Sequence, residues 1–188
     1  MIRRIPPVSL ALLLALSVPA AHADSTSTTS AAAKARPPVC TAPEYHQFDF
    51  WIGDWNVETA EGQPAGTNRI ERMLDGCVLL ENWTGAKGGA GKSFNLYDAT
   101  DRKWHQIWVD NSGGRLTLEG GLANGRMVLS GAGQASNGAT VINRITWTPI
   151  DANRVEQHWE VSADNGTSWT TAFWGLYKRK GAGPPAKK

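Results

Sequence analysis

The sequence predicts an all-β domain: an antiparallel up-and-down β-barrel of about ten strands behind a short N-terminal capping helix. Two observations predict it. Short runs of alternating apolar and polar residues recur from residue 51 to residue 179, and Asn-Gly, Asp-Gly and Gly-Gly pairs punctuate them. Asn-Gly and Asp-Gly accept positive φ at little steric cost, so between alternating runs they signal hairpins. Strands linked by hairpins form a meander, and a meander removes its unpaired edges by closing on itself. A two-sheet sandwich fits the same composition and stands as the alternative.

The chain opens with Arg3 and Arg4, then an apolar run from Val8 to Val18, then Ala21-His22-Ala23. A basic start, a short apolar stretch and a small-x-small site predict a secretory signal peptide over 1–23, cut after Ala23. The run is too short to cross about 30 Å of hydrocarbon. Export places the protein in the periplasm or outside the cell. Losing Arg3 and Arg4 reduces 19 basic residues to 17, against 17 acidic ones. A mature charge near zero argues against a nucleic-acid partner or an anionic membrane surface. Residues 24–39 are small, polar and end in proline, and read as a disordered linker; the tail 181–188 reads likewise. The domain is expected over 40–180. Its two cysteines, Cys40 and Cys77, are expected to pair in an oxidising compartment.

Thr41-Ala42-Pro43-Glu44 fits a capping box with Thr41 as N-cap, and predicts a short helix over 42–49. Strands are expected near 51–59, 66–75, 77–84, 92–98, 103–110, 114–120, 125–131, 140–148, 153–162 and 168–179. Asp75-Gly76, Asn111 to Gly114, Asn124-Gly125, Asn137-Gly138 and Asp164 to Gly166 supply turns between them.

Residues two apart on a strand share a face. Several strands repeat a polar residue followed two positions later by an aromatic one: Glu81 and Trp83, Asn95 and Tyr97, Gln106 and Trp108, Gln157 and Trp159, Thr171 and Phe173. Asn143, Ile145 and Trp147 extend the pairing by one step. A packed core rarely holds so many amides, because each buried polar group without a partner costs about 1–3 kcal/mol. Aromatic walls carrying a few placed polar groups describe a small-molecule pocket. The opposite faces carry Val78 and Leu80, Phe94 and Leu96, Ile107 and Val109, so the pattern leaves open which face turns inward.

The string Phe48 to Trp55, FDFWIGDW, places Gly-x-Trp on the first strand behind the short helix. This resembles the opening of lipocalin-type barrels. The resemblance implies that Trp55 closes one barrel end beneath a basic side chain of the last strand, here Arg179 or Lys178. FDFWIGDW followed by Asn68 to Glu71, Leu74 to Cys77, Glu81 to Trp83, Trp108 to Asp110 and Arg144 to Pro149 resembles a family of bacterial exported proteins classed as a domain of unknown function. That resemblance covers about residues 45–180. It implies a lipocalin-like barrel and export, and carries no catalytic residues. Haem-binding nitrobindin-like barrels share the opening. Their iron is held by a histidine near the chain's end, and the segment Trp169 to Lys180 has none.

Other motifs read as structure. Ala86 to Ser93 fits a loose phosphate loop, yet a strand follows it where a helix N-terminus is needed. Ser162 to Trp169 resembles the Asp-box hairpin of sialidase propellers, where it is a structural turn. His46, His105 and His158 lack ligand spacing, so no metal is expected, and no cofactor. Asn82 and Asn165 head glycosylation acceptor triplets that a bacterial protein leaves unused. No nucleophile motif appears and no catalytic residue is assigned. The leading reading is therefore an exported barrel binding a small, partly apolar ligand. Trp83, Tyr97, Trp108, Trp147 and Trp159 would form its walls, and Glu81, Asn95, Gln106, Asn143 and Gln157 its polar contacts. The alternatives are an envelope protein with a filled core, for structure or interaction, and an enzyme that uses Glu81 as a general base.

Overall fold

In a computed structural model, residues 39–181 are described. The assignments of signal peptide and linker, and of the tail beyond Gly181, lie outside these residues. Ten strands form a closed antiparallel barrel: β1 (Gly53–Glu58), β2 (Pro64–Met73), β3 (Val78–Gly85), β4 (Ala90–Asp98), β5 (Lys103–Asp110), β6 (Arg115–Ala123), β7 (Arg126–Gln134), β8 (Thr140–Asp151), β9 (Arg154–Ser162) and β10 (Thr170–Arg179). Each strand pairs with its sequence neighbours, and β1 closes the ring against β10, Trp55 opposite Arg179. The barrel decides against the sandwich.

Strands β6 and β7 run on to Ala123 and Gln134, past Gly120 and Gly131, where the expected strands 114–120 and 125–131 end. At these positions glycine lets strands approach closely. A Cβ on Gly120 would lie 2.2 Å from the Val128 carbonyl, and one on Gly131 2.2 Å from that of Thr117.

The expected helix over 42–49 is two 3-10 turns, Pro43–His46 and Asp49–Trp51. Ala42, not Thr41, precedes the first, and no side chain caps it. The capping box is not made, because the segment winds to fit the barrel mouth rather than to propagate a helix. Its purpose is the plug it delivers. Phe48 stacks on Trp51 at 4.8 Å between ring centroids and meets Trp104 and Trp147 edge-on at 5.6 and 5.1 Å. All four are buried. Such aromatic pairs add about 0.5–1.5 kcal/mol each beyond their burial. Cys40 and Cys77 are joined, Cα to Cα 5.1 Å, which fastens the plug segment to the β2–β3 turn.

The Gly-x-Trp motif acquires a reason here. The Arg179 guanidinium lies 4.2 Å from the centroid of the buried Trp55 ring and donates from Nη1 to the Ile52 carbonyl at 3.0 Å. A Cβ on Gly53 would sit 2.0 Å from that Nη1, and Gly53 has φ +142°. Glycine is required both for the backbone and for the arginine's place. Lys178 points the other way and pairs with Glu58 on the outer surface.

Candidate functional site

The closed end is filled; the middle of the barrel is not. A cavity of about 280 Å³ lies above the plug, lined by Glu81, Trp83, Gln106, Trp108, Leu116, Ile145, Gln157, Trp159, Ala172, Phe173 and Tyr177. Alternation on the strands produces it. Glu81 and Trp83 on β3, Gln106 and Trp108 on β5, and Gln157 and Trp159 on β9 each turn the same parity inward. The Trp108 indole lies against Gly91, where a Cβ would come within 2.2 Å of the ring, so this small residue lets the indole serve as wall rather than filling.

Of the ten residues expected around a lumen, those six line the cavity. The other four also turn inward but serve the frame. Asn95 is fully buried behind Gln106, whose Nε2 donates to its Oδ1 at 2.9 Å. Asn143 accepts the Trp159 Nε1–H at 2.9 Å and so orients that wall. Trp147 belongs to the plug, and Tyr97 packs between Tyr45 and Trp104 beside it. Thr171 breaks the pairing expected with Phe173. A bulge between them turns Thr171 outward to bond His158 at 2.9 Å, while Phe173 stays inside.

The polar floor is built from a chain of hydrogen bonds. Asn95 Nδ2 donates to Ser93 Oγ at 2.8 Å, and Gln106 Nε2 approaches the same oxygen at 3.4 Å. With its oxygen accepting, Ser93 turns its own hydrogen to Glu81 Oε2 at 2.6 Å. Asn68 Nδ2 donates to Glu81 Oε1 at 2.7 Å and to the Tyr177 hydroxyl at 3.2 Å. Tyr177 in turn donates to Gln157 Oε1. Glu81 is thus held as an acceptor at both oxygens. Burial pushes its pKa up to about 7, against the lowering effect of the Ser93 and Asn68 hydrogen bonds. Burial, and then the Glu81 charge, hold the Tyr177 phenol well above its ordinary range, so it stays neutral.

The sequence pattern missed Tyr177, Asn68, Ser93, Leu116 and Ala172. Ser93 lies two before Asn95 and Tyr177 two after Gly175, so extending parity along each strand would have found both. Asn68 has no aromatic partner two residues on, and Ala172 sits at a bulge, where parity fails.

The Ser162 to Trp169 motif is a structural turn, as expected. Asp164 accepts from Ser168 N at 2.8 Å and from the hydroxyls of Ser162 and Ser168, and Arg144 lies 3.8 Å from the Trp169 ring centroid. Asp98, Asp101 and His105 gather on the β4–β5 hairpin, where Asp98 caps Thr100 N and Asp101 caps Lys103 N.

No family model matches the chain, and no curated protein matches it significantly. Fold and cavity together define the class: a closed ten-strand antiparallel barrel, plugged at one end by aromatic side chains and hollow above the plug.

Proposed function

We propose that this protein is an exported lipocalin-like barrel that binds a small, partly apolar molecule in its interior, kin to the bacterial exported family whose motifs it resembles. The observation that carries the reading is the cavity itself. Indoles and phenylalanine make its walls, and its floor keeps unused hydrogen-bonding capacity on Glu81, Gln106 and Gln157. Its volume, about 280 Å³, is near the lower end of ligand pockets and about twice that of an apolar cavity known to hold benzene. One or two rings fit. The disulfide suits an oxidising compartment, and no helix among the described residues is long and apolar enough to cross a membrane.

Titration with 2-naphthol, read by quenching of tryptophan fluorescence, tests the reading. Saturable 1:1 quenching, weakened at least tenfold in Trp108→Ala, supports it. Quenching that is linear in probe and unchanged by the substitution refutes it. Recovery from the periplasm of a mature chain beginning at Asp24 supports export; recovery of the uncut chain in the cytoplasm refutes it.

A further inference from the structure

Glu81 is a buried carboxylate without a counter-charge. It is 4% exposed, and among the described residues no Lys, Arg or His nitrogen pairs with it. No basic side chain lines the cavity either. A carboxylate or phosphate ligand would therefore meet a negative floor with nothing to neutralise it. A cation would meet the opposite: an acceptor of matching charge, in a cavity walled by Trp83, Trp108, Trp159 and Phe173, whose ring faces attract positive charge.

The hydrogen bonds narrow the head group. Asn68 and Ser93 each use one lone pair of a Glu81 oxygen, and a carboxylate has more to offer. Gln106 spends its amide hydrogens on Asn95 and Ser93, and its Oε1 has no partner among the described residues. The floor therefore presents acceptors from β3 and β5, on either side of β4. A head group with two or more N–H donors satisfies both.

Resting on the reading of the cavity as a binding site, we infer that its ligand is a small organic ammonium compound. It is a primary or secondary amine on an apolar body of one or two rings, with its N–H groups on Glu81 and the Gln106 carbonyl. Gln157 Nε2, without a partner among the described residues, is left for an acceptor elsewhere on the same ligand, while Gln157 Oε1 accepts from Tyr177.

A pH dependence follows. Of the groups facing Glu81, Asn68 on β2, Ser93 on β4, and Gln106 and Gln157 do not titrate, and Tyr177 on β10 stays neutral. An alkylammonium, like a lysine, stays charged through neutral pH. Glu81, with a pKa of about 7, is mostly ionised at pH 8 and mostly protonated at pH 5.5. The competent fraction falls, and apparent affinity for an amine falls with it, roughly thirtyfold.

Calorimetric titration of the full-length mature chain with 2-phenylethylamine and with its neutral analogue 2-phenylethanol tests the inference. At pH 8 the amine is expected to bind at least tenfold more tightly. The preference is expected to vanish in Glu81→Gln. On the unaltered protein, amine affinity is expected to drop at least tenfold by pH 5.5 while alcohol affinity changes less than threefold. Alcohol binding equal to or tighter than amine binding at pH 8 overturns the ammonium inference and leaves the binding site standing. Binding of neither compound overturns both.

Discussion

Replacing Glu81 by Gln removes the only carboxyl among the buried residues described for the barrel, and the consequence for stability depends on pH. In the unfolded chain this carboxyl titrates near its ordinary 4.5; in the folded barrel it titrates at about 7. Below the lower value both states are protonated, and above the upper both are ionised. Between them the folded state holds a proton that the unfolded state has released. Rising pH therefore favours unfolding: the stability is present at low pH and lost as pH climbs towards 7. From pH 5 to pH 8 the loss is about 2–3 kcal/mol, at 1.36 kcal/mol per pKa unit. For a barrel of this size it corresponds to about 5–12 °C in Tm. Asp110 and Asp164 do not interfere. Hydrogen bonds led by Ser112 and by Ser168 hold them down to about 2, so their contributions fade only below about pH 4. Glu81→Gln keeps the shape and removes the titration, and Asn68 Oδ1, buried without a partner, can receive the new amide after a flip of its side chain. Denaturant unfolding at pH 5 and pH 8 should show the parent losing 2–3 kcal/mol more than the variant across that interval, at about the figure derived above. Parallel losses in the two proteins would refute the placement of the Glu81 carboxyl in a buried floor.

Three further outcomes are expected. Arg179→Ala loses the cation over Trp55 and the hydrogen bond to Ile52, and should cost about 1–3 kcal/mol by chemical denaturation, whereas Lys178→Ala removes only a surface ion pair and should cost under about 1 kcal/mol. Reduction of Cys40–Cys77, or its replacement by serines, should lower stability by about 3–4 kcal/mol without abolishing the β-sheet circular dichroism signal. Gly91→Ala drives a methyl to within 2.2 Å of Trp108; the ring must swing into the cavity, so stability should fall by about 1–3 kcal/mol and 2-naphthol quenching should be lost.

The barrel was legible because its strands obey period two and its turns use residues that accept positive φ. Trp83, Trp108 and Trp159 were each placed on the face of their polar partner for the same reason, but which face turns inward was open until the strands were paired and the cavity found between them. Period two does not resolve height along the barrel axis. Trp147 and Tyr97 share the inward parity of Trp159 yet lie at the plugged end, because strand tilt and register set depth, and these emerge only from pairing, as in Trp147 opposite Met127. Nor does parity survive a bulge, which is how Thr171 left the interior and Ala172 came to the rim. Asn68 and Ser93 matter through one long-range contact each with Glu81, and no local pattern announces such a contact. The basic cover over Trp55 was expected from either Arg179 or Lys178. Alternation separates them once Tyr177 is known to point inward, and the choice of Arg179 comes from its reach past Gly53.

The most direct test of the central claim is native mass spectrometry of the protein recovered from its own host. The barrel should carry one small-molecule adduct per chain, and Ala172→Trp, which fills the rim of the cavity, should lack it. A chain without adduct, or the same adduct on both proteins, would contradict a ligand-holding interior.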